Sequence, residues 1–254
     1  KAQCNTELPQ PLIHHPEGNG LNMLRRIWQK GMIALATSPK LKQAAQAGRA
    51  TSQLSRRYVA GETADDGVRR ARSLRDTHGI RSSLFYLGEY VDTHELVTEN
   101  VEHKLAVARL LGETDLDVHV SGDPTQLGLG IDDALITANV LKIGEAIKAA
   151  ARGRPGIHGL MLDMEDASVT DRTIAAHSLL VDRGLPAALT LQAYLRRTEA
   201  DLRTLIHTPA KVRLVKGAFA AGEDISFTRQ DEIKANSRKL IDLMFSPAAR
   251  ASGF

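Results

Sequence analysis

The sequence predicts an α/β chain built from repeated strand–helix units with parallel strands, and three observations carry that prediction. From about residue 80 onward, apolar runs of five to eight residues alternate with helical stretches of a dozen or more. In the run Lys211 to Lys216, Val212, Leu214 and Val215 are β-branched or apolar, as a parallel strand covered on both faces needs. Several of the runs end in polar groups, and in a parallel sheet the carboxyl ends of the strands share one face, where sites are built.

Taken in order, the first 20 residues, with Pro9, Pro11, Pro16, Gly18 and Gly20, lack any period and read as an irregular leader. Leu21, Leu24, Trp28, Met32 and Leu35 recur at helical spacing and predict an amphipathic helix. Ala44 to Tyr58 is polar and basic, a solvated helix or connector. These segments make residues 1–56 a leader with a helical arm, and residues 57–254 the strand–helix domain. Lys1 in place of a methionine points to processing or trimming.

Thr63 stands three residues before Asp66, a capping box that opens a helix through Val68, Ala71 and Leu74 and stops at His78-Gly79. Strands are expected at Ser83 to Val91, Asp117 to Ser121, Ile157 to Asp163, Ala187 to Ala193 and Lys211 to Lys216, each followed by a helix. The clearest helix is Asp132 to Ala151, with Ile136, Val140, Ile143, Ile147 and Ala150 on one face, and the last lies near Thr228 to Phe245, with Ile233, Leu240 and Met244. Asp92-Thr93, Asp123-Pro124, Ser168 and Gly222 supply the caps or breakers between strand and helix. A closed barrel of this type needs eight strands, and five are read here. The architecture is therefore either an open doubly wound sheet or a barrel lacking its final third.

Composition narrows the function classes. With 254 residues, 43% hydrophobic, the chain can bury one sizeable core. A net charge of +3 with no basic run interleaved with aromatics gives a nucleic-acid partner no support. Cys4 is the only cysteine, so an internal disulfide is excluded, which fits a reducing compartment. No apolar run approaches the roughly 20 residues of a spanning helix, and a cytoplasmic location, peripheral to the inner membrane at most, is expected.

The run KVRLVKGAF, Lys211 to Phe219, places Arg213 inside an apolar strand. Alone, such an arginine is more often a structural ion pair than a functional group. Its company is what matters: Ser121 and Asp123, Asp163 and Glu165, and Gln192 and Tyr194 close three other strands. Written out in order, SLFYLGE (Ser83 to Glu89), VSGDPTQLG (Val120 to Gly128), LDMED (Leu162 to Asp166), LQAYLRRT (Leu191 to Thr198) and VRLVKGAF (Val212 to Phe219) resemble the proline dehydrogenase family over about Arg57 to Phe254.

That resemblance implies a distorted (βα)8, TIM-like barrel, here with about five of its units, that binds FAD. It also implies oxidation of L-proline to pyrroline-5-carboxylate by hydride transfer to the flavin, with a membrane quinone as electron acceptor. Arg213 matches a family arginine beside the flavin, where a fixed cation favours developing negative charge. Asp163 matches a strand-end aspartate that orients cationic partners, and these two form the expected catalytic pair. Gln192, Lys216, Gly217, Ala218 and the backbone of Leu162 match cofactor-binding positions, Gly217 because a missing side chain lets backbone approach a ligand. On the substrate side, Glu89 matches a glutamate that closes the site. Phe219 stands where a tyrosine is common, and Asp123 stands where many members have a lysine, reversing the local charge. The family's Ala-Thr-His strand and its carboxylate-binding arginine pair are missing, so this segment alone is expected to lack proline turnover. The resemblance also implies proline catabolism or supply of an antibiotic pathway of the carbapenem type.

Plainer readings stand beside these. Glu165 and Asp166 suit a helix start, Tyr194 suits packing, and Gln126 suits a turn. At the level of the whole chain, the alternatives are a non-catalytic truncated relative, or a magnesium-dependent barrel lyase using Asp123, Asp163 and Glu165 as oxygen ligands.

Overall fold

The computed structural model describes residues 59–87 and 91–254. The expected leader, the helical arm and Glu89 lie outside these residues, and so does the boundary drawn at residue 57. Five parallel strands make one sheet: β1 Leu84–Phe85, β2 His119–Gly122, β3 Gly159–Leu162, β4 Ala187–Gln192 and β5 Val212–Val215. Their order across the sheet is the chain order, without a reversal. A doubly wound sheet requires a reversal where its two halves meet, so the open alternative is excluded. This is the winding of a barrel wall.

The helices follow the same logic. α1 Ala64–His78 opens on the expected capping box, Thr63 and Asp66 bonding each other's backbone reciprocally, and Gly79 closes it. α2 His94–Gly112 is capped by Thr93, whose hydroxyl accepts from the Leu96 N–H at 3.3 Å. α3 Asp133–Ala151 lays Ile136, Val140, Ile143 and Ile147 into the core, and Ala150 packs at its margin. α4 Thr170–Asp182, α5 Thr198–Leu205, α6 Gln230–Met244 and α7 Pro247–Ser252 complete the series. α2, α3 and α4 pack on β2, β3 and β4 and on one another in sequence, which places them in one layer.

Alternation within the strands separates two faces. Val118, Val120, Leu160, Leu162, Leu189 and Leu191 join the core shared with the helices. Ser121, Asp163, Thr190, Gln192 and Arg213 fall in the opposite parity, on the inner face. Leu189↔Val212 and Thr190↔Arg213 fix the register of β4 with β5.

Two expectations need correction. β5 was expected to be fully covered, yet its residues are only partly buried and Arg213 is exposed. The reason is that β5 pairs with β4 alone, so among the described residues its outer edge meets no further strand. The first strand is likewise shorter than expected, with Phe85 and Leu87 exposed at the other edge.

Candidate functional site

The carboxyl ends of β3, β4 and β5 bring the key groups together because adjacent strands in register present same-parity residues side by side. Arg213 reaches across β4 and its Nη2 pairs with Asp163 Oδ1. Thr190, between them, donates its hydroxyl to the same Asp163 oxygen at 2.9 Å and accepts from Arg213 Nε at 3.2 Å. The aspartate is therefore held from two sides. Burial pushes its carboxyl above the usual range, against the lowering pull of Arg213, Thr190 and Lys104. Arg213 keeps 44% of its side chain accessible, so the guanidinium is fixed at one end and open at the other.

Gln192 follows two residues after Thr190 on the same face and is buried. Its amide donates to the Glu165 carbonyl at 2.8 Å, which ties the end of β4 to the segment after β3. Glu165 in turn accepts from the backbone and hydroxyl of Thr125, at 2.9 and 2.7 Å, and so ties that segment to the turn after β2. Asp166 caps its own turn, accepting from the Ser168 N–H at 2.8 Å, as a helix-start carboxylate does. The structure thus splits the acidic pair: Asp166 is a cap and Glu165 is a clamp between loops.

The remaining predicted residues are placed as follows. Leu162 turns its side chain into the core, and the Asp163 N–H donates to the Gly122 carbonyl at 3.1 Å. Asp123 stands at the end of β2 before a 3-10 turn, Thr125–Leu127, that contains Gln126. Lys216 and Ala218 are exposed and Phe219 is partly buried. Gly217 has φ of 101°, a left-handed backbone that favours glycine. The structure gives it a different reason from ligand approach: a methyl there would overlap the ring of Tyr194. Tyr194 also packs with Leu195 and Ile233, in line with the packing reading, while its buried hydroxyl has no partner. The turn carrying it is stitched to the chain after β5, where Phe227 N–H donates to the Tyr194 carbonyl at 2.8 Å and Arg196 lies 4.4 Å over the Phe227 ring.

Sequence reasoning missed three contributors. Thr190 reads as an ordinary strand residue until the register sets it between Asp163 and Arg213. A polar chain deeper on the inner face runs from His119 Nδ1 to Ser83 Oγ and on to Ser121 Oγ, 2.7 Å at each step, and of the three only Ser121 stands out in the sequence. Lys104 lies on α2 at an inward position, in step with Val97, Val101, Ala108 and Leu111; a lysine interrupting an apolar stripe was the available signal.

The magnesium reading loses its ligand set here, since Asp163 is engaged by Arg213 and Thr190 and Glu165 by Thr125. Among the described residues no group of three acidic, histidine or cysteine side chains could hold an ion. No helix of these residues is long and apolar enough to cross a membrane.

Comparison with known proteins places the chain in a family. The chain is similar to proline dehydrogenase 2 of Bacillus subtilis, 29% identical over 187 residues covering 73% of this chain and 59% of that protein. It is 24% identical to the proline dehydrogenase of Deinococcus radiodurans over 86% of this chain and 69% of the other. It thus spans about three fifths of the Bacillus protein's length. Two solved structures share the fold at a TM-score of 0.62. Proline utilization A from Bdellovibrio bacteriovorus, inactivated by N-propargylglycine, is 20% identical over 76% of this chain and 24% of that one. Proline utilization A from Corynebacterium freiburgense is 21% identical over 91% and 25%. At that identity the likeness establishes a TIM-like fold. The sequence pattern of the family described as proline dehydrogenase matches residues 68–235, well over half of the chain, and the chain therefore belongs to the proline dehydrogenase family.

Proposed function

We propose that this chain is the flavin- and substrate-facing part of a proline dehydrogenase that oxidises L-proline to pyrroline-5-carboxylate, with FAD as its cofactor. The observation that carries the reading is the Arg213–Asp163–Thr190 cluster on the inner face, a guanidinium anchored at one end and accessible at the other. The donor set fits a flavin: Arg213 and Lys216 are exposed cations on one strand and its continuation, and the Tyr194 hydroxyl is a buried polar atom without a protein partner. When bound, the flavin supplies the hydride acceptor.

The chain's residues prepare for that chemistry. Arg213 directs a fixed positive charge at the inner face, which favours negative charge developing there without reorganisation. Asp163 and Thr190 hold the guanidinium in one orientation, and a group held in place acts more strongly than one that must be ordered during the reaction. Gln192, Lys216, Gly217, Ala218 and the backbone of Leu162 would hold the cofactor. Asp123, Glu89 and Phe219 would face the substrate, Phe219 offering an apolar ring to a pyrrolidine. Electron delivery to a quinone at a membrane surface, and service in proline catabolism or in an antibiotic pathway, belong to the same proposal.

The test is the absorbance spectrum of the purified protein with and without proline under anaerobic conditions. A flavin spectrum that bleaches on adding proline is the expected result for the whole protein. A protein that stays colourless when FAD is added would refute the reading and favour the non-catalytic relative.

A further inference from the structure

Helix α2 buries a cation where a hydrophobic side chain would ordinarily sit. Lys104 is among the largest fully buried side chains of the described residues. An ammonium in such a place is strongly unfavourable unless it is paired and hydrogen-bonded. Its stem runs through a gap at Gly122 on β2, where a methyl group would overlap Lys104 Cε. At its tip, Nζ donates to Gln126 Oε1 at 2.7 Å. Gln126 is itself fully buried, donating to the Tyr86 carbonyl at 3.0 Å, and its Oε1 also accepts from the Asp123 N–H at 3.4 Å.

The Asp123 N–H and the Lys104 ammonium share Gln126 Oε1, and the Asp163 N–H donates at 3.1 Å to the carbonyl of Gly122, the residue the lysine stem passes, so Asp123 after β2 and Asp163 after β3 are the carboxylates nearest in the fold to this cation. Asp163 is the residue that holds Arg213. Glu165, the other carboxylate of this region, accepts from Thr125. Burial pulls the Lys104 ammonium down to about 8 while the two aspartates oppose the shift. The ammonium therefore approaches the site from the helix layer, and its charge partners are residues of the inner mouth.

We propose that Lys104 is a positioning residue of this site, a cation delivered from α2 through the gap at Gly122 to the ends of β2 and β3, where it is coupled to Asp163 and so helps set the charge in which Arg213 is held. The work assigned to Arg213 rests on the function proposed above; the coupling between Lys104 and Asp163 does not need it.

An NMR titration of the full chain tests the coupling, following the Asp163 carboxyl carbon and the Lys104 side-chain nitrogen. In the unaltered chain the Asp163 resonance is expected to show a second inflection in the window where Lys104 loses its proton. In Lys104→Met that inflection vanishes, and the Asp163 midpoint rises by about one pH unit, as removal of a nearby opposite charge requires. A lysine that only fills space would leave the Asp163 titration unchanged, and that result overturns the proposal. Should Lys104→Met fail to fold, the unaltered chain decides: an Asp163 resonance indifferent to Lys104 deprotonation also overturns it. No flavin enters these measurements. A chain without cofactor affinity would refute the proposed function and leave the coupling to stand or fall by itself.

Discussion

The centre of the sheet and its β5 edge are built from similar residues and behave differently. Every residue of β2, β3 and β4 is buried, whereas β5 is only partly covered and carries an exposed arginine. The centre packs its valine and leucine side chains against the helices on one face, and on the other Thr190 bonds Asp163 and Gln192 bonds the Glu165 carbonyl. The edge leaves Arg213 in contact with solvent while Asp163, on the buried side, fixes one end of it. Full burial would impose a large desolvation penalty on such a charge, and full exposure would let solvent screen it. Within the described residues the Arg213–Asp163 pair thus spans a gradient of burial, with the carboxylate inside and the guanidinium at the margin.

That comparison can be broken most severely at the centre. Leu189→Ala on β4 is expected to remove about 3 to 5 kcal/mol of stability, whereas Leu214→Ala on β5 should remove about half as much or less, since its side chain is only partly buried. Equal losses in urea unfolding would mean that the edge is as tightly packed as the centre.

Acid probes the same contrast. Burial brings His119 and His177 down to about 4, and both ring nitrogens of His177 lack a partner. Each is neutral when folded and takes up a proton when unfolded between about pH 6.5 and 4, so the unfolded chain binds more protons there and stability falls as pH drops through that window. Each contributes a loss of roughly 3 kcal/mol once pH reaches 4. Unfolding midpoints at pH 7 and 5 should differ clearly in the unaltered chain and less in His177→Met; identical pH dependence in the two would remove His177 from the account.

Gly217→Ala strains a left-handed backbone and drives a methyl into Tyr194, and is expected to destabilise by about 1 to 3 kcal/mol. Tyr194 fluorescence or crystallography would show the ring displaced; a variant of unchanged stability would argue that the turn after β5 is loose. The smallest effect is expected farthest from the sheet, where Thr63→Ala at the start of α1 should lose about 1 kcal/mol through its capping hydrogen bond.

Much of this was legible in the residues. Five apolar runs, four of them with polar groups at or near their ends, predicted five parallel strands, and the Thr63 and Asp66 spacing predicted the start of α1, because these signals are local. Arg213 and Asp163 were paired in sequence reasoning only through a resemblance, since they are 50 positions apart and meet only when the β3–β4–β5 register exists. Thr190 was invisible for the same reason. The expected burial of β5 failed because coverage of a strand depends on its neighbours and not on its own apolar residues. Lys104 carried a readable signal, a cation in an apolar stripe, but its partners Gln126, Asp123 and Asp163 follow from tertiary placement alone.

The central claim is that the guanidinium held by Asp163 favours charge that develops in the reaction. Its most direct test is the anaerobic single-turnover rate of flavin reduction by proline in the whole protein and in its Arg213→Ala variant, with proline affinity measured separately. The account predicts a rate lower by roughly 10²-fold or more with a much smaller change in affinity. Equal losses in rate and affinity, or an unchanged rate, would contradict it.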